Sequence, residues 1–66
     1  MREKTGYYDR NGKAIRDGDT CKAIIWGLIL VGHVEELENE WYLTHKFQSN
    51  KLADFDDIEV LKGADD

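Results

Sequence analysis

Three side chains of this sequence are of types that could take part in covalent or metal chemistry, namely Cys21, His33 and His45. A catalytic thiol needs a lowered pKa, a neighbouring base and a third group that orients the base. Cys21 instead begins an apolar run, where cysteine usually serves as a small buried hydrophobe. Structural zinc sites use closely spaced ligand pairs, and none occurs in this sequence. We therefore expect neither a catalytic cysteine nor a metal site, and we expect His33 to lie on an outward strand face.

A group of acids at Asp54, Asp56, Asp57 and Glu59 invites comparison with calcium-binding loops. An EF-hand loop needs oxygen ligands at positions 1, 3 and 5 and a glycine at position 6. Counted from Asp54, position 5 is Ile58 and position 6 is Glu59, so the pattern fails. The sequence also lacks a phosphate-binding glycine loop and a serine elbow, so we expect no cofactor and no enzymatic activity.

Aromatic side chains are the remaining candidates for function, because aromatic residues often anchor protein interfaces. Trp26 lies on the outward face of its strand if alternate residues from Cys21 face inward, and Tyr42 lies on the more polar face of another strand. Single exposed aromatics are also common in proteins where they bind nothing, and Trp26 could instead close one end of the fold. The candidate partner-binding residues are Tyr7, Tyr8, Trp26, Glu35, Tyr42, Asp54, Asp56 and Asp57.

These side chains must be positioned by strands, and the strongest strand signal is the apolar run from residue 21 to 34. The run is rich in β-branched and aromatic residues, which suit a pleated and half-buried surface. A membrane-spanning helix needs about 20 apolar residues, whereas this run is shorter, carries Lys22 and contains Gly27 and Gly32. We therefore expect two strands that meet near Gly27, or one long strand bent there.

The segment before this run is rich in turn signals. Asn11-Gly12 and Asp17-Gly18 are both typical of tight turns, because these residue types tolerate a positive φ. Ile15 is the one large apolar residue between the two turns. Residues 5–19 are therefore expected to form an ordered, hairpin-like loop that leads into the first central strand.

The segment after the run favours short strands joined by turns. Residues 40–47 alternate, with Trp41, Leu43, His45 and Phe47 on one face, and Trp41 is the best aromatic candidate for the core. The remaining expectations are a continued strand at 34–37, polar turns at 38–40 and 48–51, a 3₁₀ turn within 52–57, a strand at 58–61 and a tail at 62–66. The pattern predicts an all-β fold of four or five antiparallel strands with one short 3₁₀ turn.

Length and charge describe the kind of molecule expected. Sixty-six residues with one cysteine, no proline and a net charge of −5 predict one small acidic domain, 1–66, in a reducing, cytoplasmic space. The first 22 residues carry six bases and four acids, whereas residues 35–66 carry ten acids and three bases. We expect this asymmetry to act mainly on binding partners, because distant exposed charges are screened.

One segment resembles a known family. The matching residues are Thr5-Gly6, Asp9-Arg10-Asn11-Gly12-Lys13, Ile15 and Gly18-Asp19. In this order and spacing they are similar to the loop that opens the C-terminal module of the YopX family of phage and prophage proteins. The chain departs from that family at Thr20-Cys21, where two branched aliphatics are usual, and the family's long N-terminal portion does not appear in this sequence. The resemblance implies an SH3-like β-barrel encoded by a mobile element, and it implies no catalytic residues.

The expected function is therefore that of a non-enzymatic module that binds a host or phage protein, with an acidic inhibitor or a nucleic-acid mimic as one form of it. A homodimer is a second expected association, and no membrane contact is expected. The alternative is a nucleic-acid binder that uses the early bases, with Tyr7 and Tyr8 available for base stacking. A net charge of −5 opposes this alternative, because phosphate neutralisation supplies most nonspecific affinity.

Overall fold

The computed structural model describes residues 2–64, and its regular structure consists of seven strands and one 3₁₀ turn. The strands are β1 (Lys4–Tyr8), β2 (Ala14–Arg16), β3 (Thr20–Ile25), β4 (Leu28–Leu37), β5 (Glu40–His45), β6 (Gln48–Lys51) and β7 (Asp57–Lys62), with the 3₁₀ turn at Leu52–Asp54. The prediction of an all-β fold with one short 3₁₀ turn is confirmed. Five of the seven strands form the main antiparallel sheet, in agreement with the predicted four or five, and the other two lie in the segment predicted as a hairpin-like loop. Within residues 2–64, no helix has the length and apolar character needed to cross a membrane.

The strands form two antiparallel sheets. Five strands pair in the order β6-β5-β4-β3-β7, and β1 pairs with β2 in a separate two-stranded sheet. After the β3-β4-β5-β6 meander, the 3₁₀ turn brings the chain back so that β7 pairs with the far edge of β3. This order, with the 3₁₀ turn before the last strand, agrees with the predicted SH3-like arrangement.

The apolar run folds as a hairpin with its turn at Trp26-Gly27, which is the first of the two predicted arrangements. Trp26 and Gly27 have φ values of 50° and 76°, and Ile25 pairs directly with Leu28 on either side of them. Two consecutive positive φ values are typical of the type I′ turn, whose twist matches that of the flanking strands. The turn therefore joins β3 and β4 into one twisted antiparallel hairpin.

The core lies on the face to which alternate residues of β3 point. Cys21, Ala23 and Ile25 are 0–2% exposed, which confirms the predicted inward face. Ile15 is fully buried and belongs to the same apolar cluster, so the N-terminal hairpin contributes its anchor to the core as expected. Trp41 is half-buried against that cluster. Val34, Leu43, Leu52 and Ile58 complete the buried cluster.

Two local expectations were wrong, and one of the two alternatives for Trp26 is excluded. Residues 48–51 form β6 and not a turn, because an edge strand can be held by backbone hydrogen bonds alone and needs no apolar side chains. The preceding strand ends at His45, since Lys46 has a φ of 55° and starts the reversal. Phe47 consequently lies fully exposed in this turn and not on the inner face. Trp26 is 82% exposed and does not close the fold.

The two ends of the chain also differ in detail from the expectation. The leading segment is itself a hairpin, β1–β2, in which Lys4 pairs with Arg16 and Tyr8 with Ala14. The last strand extends to Lys62, one residue into the predicted tail, and Asp65 and Asp66 lie outside the described residues.

Candidate functional site

A buried carboxylate, Asp9, joins the N-terminal hairpin to the edge of the main sheet. Its Oδ1 accepts hydrogen bonds from the backbone N–H groups of Asn11 and Lys13, at 2.9 and 2.8 Å. Its Oδ2 accepts a hydrogen bond from the backbone N–H of Val60 at 3.0 Å, across 51 residues of sequence. Next to it, the Arg10 N–H donates to the carbonyl of Ile58 at 2.8 Å. The β1–β2 turn is thus fixed against β7.

The charge state of Asp9 follows from these contacts. Burial by itself would raise the pKa of this carboxyl group. The backbone N–H groups of Val60, Lys13 and Asn11 outweigh burial, and they hold the pKa of Asp9 below its ordinary value of 3.8. Asp9 is therefore a carboxylate at neutral pH, and the three backbone donors keep a charged acceptor.

A second buried carboxylate fixes the other end of the same hairpin. Asp19 is 2% exposed; its Oδ2 accepts the Arg16 N–H at 2.9 Å, and its Oδ1 forms an ion pair with the Arg2 guanidinium. The Thr5 hydroxyl donates to the Ile15 carbonyl at 2.8 Å within the hairpin. Both ends of β1–β2 are thus held by buried polar groups, which fixes the position of the tyrosines at the end of β1.

A groove of about 430 Å³ lies between this hairpin, the 3₁₀ turn and the start of β7. Leu52 and Ile58 are buried and form its apolar floor, with Phe55 half-buried beside them. Tyr7 and Tyr8 line the hairpin side and are 36% and 66% exposed. The remaining lining residues are Asp9, Arg10, Ala53, Asp56 and Asp57. The groove therefore combines exposed phenol rings, an apolar floor and charged groups.

The charges at this groove are mostly negative. Arg10 approaches Asp57, with 3.7 Å between Nη1 and Oδ2. Asp56 is exposed, and its backbone N–H donates to the Ile24 carbonyl at 2.8 Å, which holds the loop in place. With Asp9 engaged by backbone donors and Arg10 beside Asp57, Asp56 supplies a surplus carboxylate at the rim.

The eight residues proposed from the sequence fall into separate places. The groove brings together four of them, namely Tyr7, Tyr8, Asp56 and Asp57. Asp54 is exposed on the 3₁₀ turn but does not line the groove. Trp26 lies in the β3–β4 turn, and Glu35 pairs with Tyr42 across β4 and β5, where Glu35 accepts a hydrogen bond from the Thr44 hydroxyl.

The three side chains that could take part in covalent or metal chemistry, Cys21, His33 and His45, lie in different surroundings. Burial, and after it the charges of Asp19 and Asp9, raises the pKa of the Cys21 thiol to about 12, so the thiol is protonated and not nucleophilic at neutral pH. His33 faces outward, with its Nε2 3.7 Å from Glu35 Oε2. His45 Nδ1 is hydrogen-bonded to the Val31 carbonyl at 2.7 Å. Among residues 2–64, no three His, Cys, Asp or Glu side chains are grouped as metal ligands.

Sequence reasoning missed Asp9, Arg10 and Phe55 as parts of this site. The spacing Asp9-x-Asn11-Gly12 is typical of a turn in which the aspartate bonds backbone N–H groups two and more residues later, so the local role of Asp9 was readable. The bond to Val60 had no local signal, because it joins the two ends of the chain.

Comparison with known proteins gives no relative: no protein-family model, no curated protein and no solved structure matches this chain.

Proposed function

We propose that this chain is a non-enzymatic protein-binding module whose groove receives an extended, basic segment of a partner protein. The observation that carries the proposal is the grouping of Tyr7 and Tyr8 with a carboxylate rim around a floor of Leu52 and Ile58. Tyrosine rings give a large contact area at a low cost in side-chain entropy, and they are common anchors at interfaces. Because the β1–β2 hairpin is already fixed against β7, both tyrosine rings are in position before a partner binds.

The chemistry of the groove favours lysine or arginine in the ligand. The alkyl chain of either residue packs on apolar and aromatic surface while its charged end stays near solvent. A cation over the exposed face of Tyr8 gains a cation–π interaction. Asp56 at the rim would then meet the same positive charge. A neutral apolar peptide would gain only the contacts with the floor.

The wider charge pattern supports a positively charged partner. The net charge is −5, and ten of the fourteen acids lie in residues 35–66. Proteins that bind nucleic acid present basic surfaces, so we further propose that the module acts as an acidic inhibitor of a host or phage protein of this kind. The resemblance of residues 5–19 to the YopX family supports a phage or prophage origin for this proposal.

Binding of nucleic acid by the N-terminal bases is the weaker candidate. Arg2 is paired with Asp19 and Arg10 lies beside Asp57, so two of the six early bases already face carboxylates of the same chain. The stacking candidates Tyr7 and Tyr8 lie in a groove with acidic rim residues. Phosphate groups would be repelled there.

The proposal can be tested by selecting a displayed library of random 12-residue peptides on the immobilised protein. We expect the enriched peptides to be rich in Lys and Arg, and we expect Tyr8→Ser or Asp56→Asn to weaken their binding at least tenfold. Trp26→Asn is the matched control, because it removes an exposed aromatic outside the groove and leaves an Asn-Gly pair that suits the same turn. Enriched peptides that bind Tyr8→Ser as tightly as the unmodified protein would contradict the proposal, as would a selection that enriches no basic sequence.

A further inference from the structure

Part of β4 has an open edge. β3 pairs with β4 from Leu28 to His33, but β5 pairs with it only from His33 to Leu37. Within residues 2–64, the stretch from Leu28 to Gly32 thus has a strand on one side only. Val34 exchanges hydrogen bonds with the chain at Gly18 and Asp19, so alternation directs the backbone groups of Ile29 and Val31 to the opposite side. The Val31 carbonyl on that side already accepts a hydrogen bond from His45 Nδ1 at 2.7 Å, which leaves both backbone groups of Ile29 and the Val31 N–H to pair. These groups are a template for another strand.

The other two edges of the same sheet are protected. The outer edge of β6 belongs to the short polar sequence Gln-Ser-Asn-Lys, which ends in Lys51. The outer edge of β7 is covered by Asp9 and Arg10, which bond the backbone of Val60 and Ile58. Proteins usually block free edges by such charges or covering segments. The edge from Leu28 to Val31 has no charge, no proline and no bulge.

Exposed apolar side chains surround this edge. Leu28, Ile29 and Val31 are 59%, 63% and 46% exposed. Trp26 lies in the turn at one end of the edge. Phe47 lies in the β5–β6 turn, and because β5 runs antiparallel to β4 and reverses after His45, this turn stands at the other end of the edge. The two most exposed aromatic side chains thus flank the edge.

From these observations we propose that the β4 edges of two copies of this chain pair antiparallel, which gives a two-fold symmetric dimer with a continuous sheet across both subunits. In this arrangement the edge from Leu28 to Val31 meets its own copy, so each Trp26 reaches the partner's Phe47. Such an isologous contact is self-complementary and closed. The dimer does not depend on the tyrosine groove, which lies at the far edge of the sheet beside β7.

The contact is large enough for a dimer, and none of the side chains assigned to it is acidic. An aromatic side chain buries about 150–250 Å², so two copies of Trp26 and Phe47 can supply up to roughly 600–1,000 Å² of the ~1,200 Å² at the lower limit of specific interfaces. Leu28, Ile29 and Val31 add apolar area. Between Lys22 and Glu35 the sequence carries no acid, so the acids responsible for the net charge of −5 lie elsewhere; the basic side chains beside the edge include Lys22, which pairs with Val31, and Lys46, which precedes Phe47.

Sedimentation equilibrium of the full chain tests the dimer, with loadings from about 1 μM to about 1 mM to cover weak association. We expect the mass to rise from monomer to dimer in this range. Ile29→Lys places a charge on the open edge and should weaken dimerisation at least tenfold. Leu61→Lys is the matched control, because Leu61 is similarly exposed at 51% but lies on β7, and it should dimerise like the unmodified protein.

A second variant keeps the test decisive if Ile29→Lys fails to fold. Trp26→Asn removes the indole and keeps a favoured type I′ turn, so it should stay folded and dimerise at least tenfold more weakly. In the unmodified protein, amide exchange at Ile29 and Val31 should slow as the concentration rises. A monomer at every loading would overturn the proposal, and so would an Ile29→Lys variant that dimerises as tightly as the unmodified protein.

Discussion

Replacing Asp9 by alanine should separate the N-terminal hairpin from the sheet at a measurable cost in stability. The Val60 N–H loses a charged acceptor in a half-buried position, which costs about 1.5–3 kcal/mol. The N–H groups of Asn11 and Lys13 belong to exposed residues and can bond water, so their loss adds only about 1 kcal/mol. We therefore expect the free energy of unfolding to fall by about 3 kcal/mol.

This loss is large for so small a domain. Sixty-six residues give an expected total stability of roughly 3–10 kcal/mol. A loss of about 3 kcal/mol lowers the midpoint of thermal unfolding by roughly 12–24 °C. Asp54→Ala is the control, since Asp54 is exposed on the 3₁₀ turn, and its loss should stay within about 0.5 kcal/mol.

The pH dependence provides an independent readout of the same carboxylate. The pKa of Asp9 is lower in the folded chain than its ordinary value of 3.8, so the folded state favours the ionised form. Its stabilisation is fully present above the unfolded pKa, near pH 4, and is lost as the pH falls through the lower folded pKa. Asp9→Asn cannot ionise, so it should show a smaller loss of stability on acidification than the unmodified protein.

Urea unfolding followed by tryptophan fluorescence, at pH 7 and at a series of acidic pH values, measures both effects. If Asp9→Ala lost no more stability than Asp54→Ala, the role assigned to the three backbone donors would be refuted. The same conclusion would follow if Asp9→Asn and the unmodified protein lost stability in parallel below pH 4.

Three further predictions concern other parts of the molecule. Gly32→Ala should lower the free energy of unfolding, measured in urea, by about 3 kcal/mol or more. An added Cβ would lie 2.2 Å from the Thr44 carbonyl oxygen, so a backbone atom and not a flexible side chain would have to move. A loss below about 1 kcal/mol would contradict this and show that the strands separate easily there. Cys21 should react with a thiol reagent at neutral pH only as fast as the chain unfolds, since burial raises its pKa to about 12, and rapid labelling of the folded protein would contradict this. A fluorescent single-stranded oligonucleotide should show no change in anisotropy with the protein at low salt, and a salt-sensitive increase would instead favour the nucleic-acid alternative.

The sequence predicted the strands whose signals are local. The β3–β4 hairpin could be predicted from the β-branched residues around Gly27. The inward face of β3 could be predicted from the alternation that begins at Cys21. The turn conformation at Trp26 was not readable, because bulky aromatic residues seldom adopt a positive φ. Residues 48–51 were missed because polar side chains on an edge strand carry no period-two signal.

The candidate site was predictable only in part. The aromatic and acidic residue types were apparent, but the sequence could not show that Tyr8 and Asp56 lie across one groove, because 48 positions separate them. The structural role of Asp9 extends over 51 residues through its bond to Val60. Contacts between the two ends of a chain depend on strand order, which local patterns do not specify.

The most direct test of the proposed function is to map, by ¹⁵N–¹H NMR, where a selected basic peptide contacts the protein. We expect the largest shifts at the amides of Tyr7, Tyr8, Phe55 and Asp56 around the groove, with little change at Trp26 and Tyr42. Shifts concentrated at Trp26 and Tyr42, with the groove amides unchanged, would contradict the claim that the groove is the binding site.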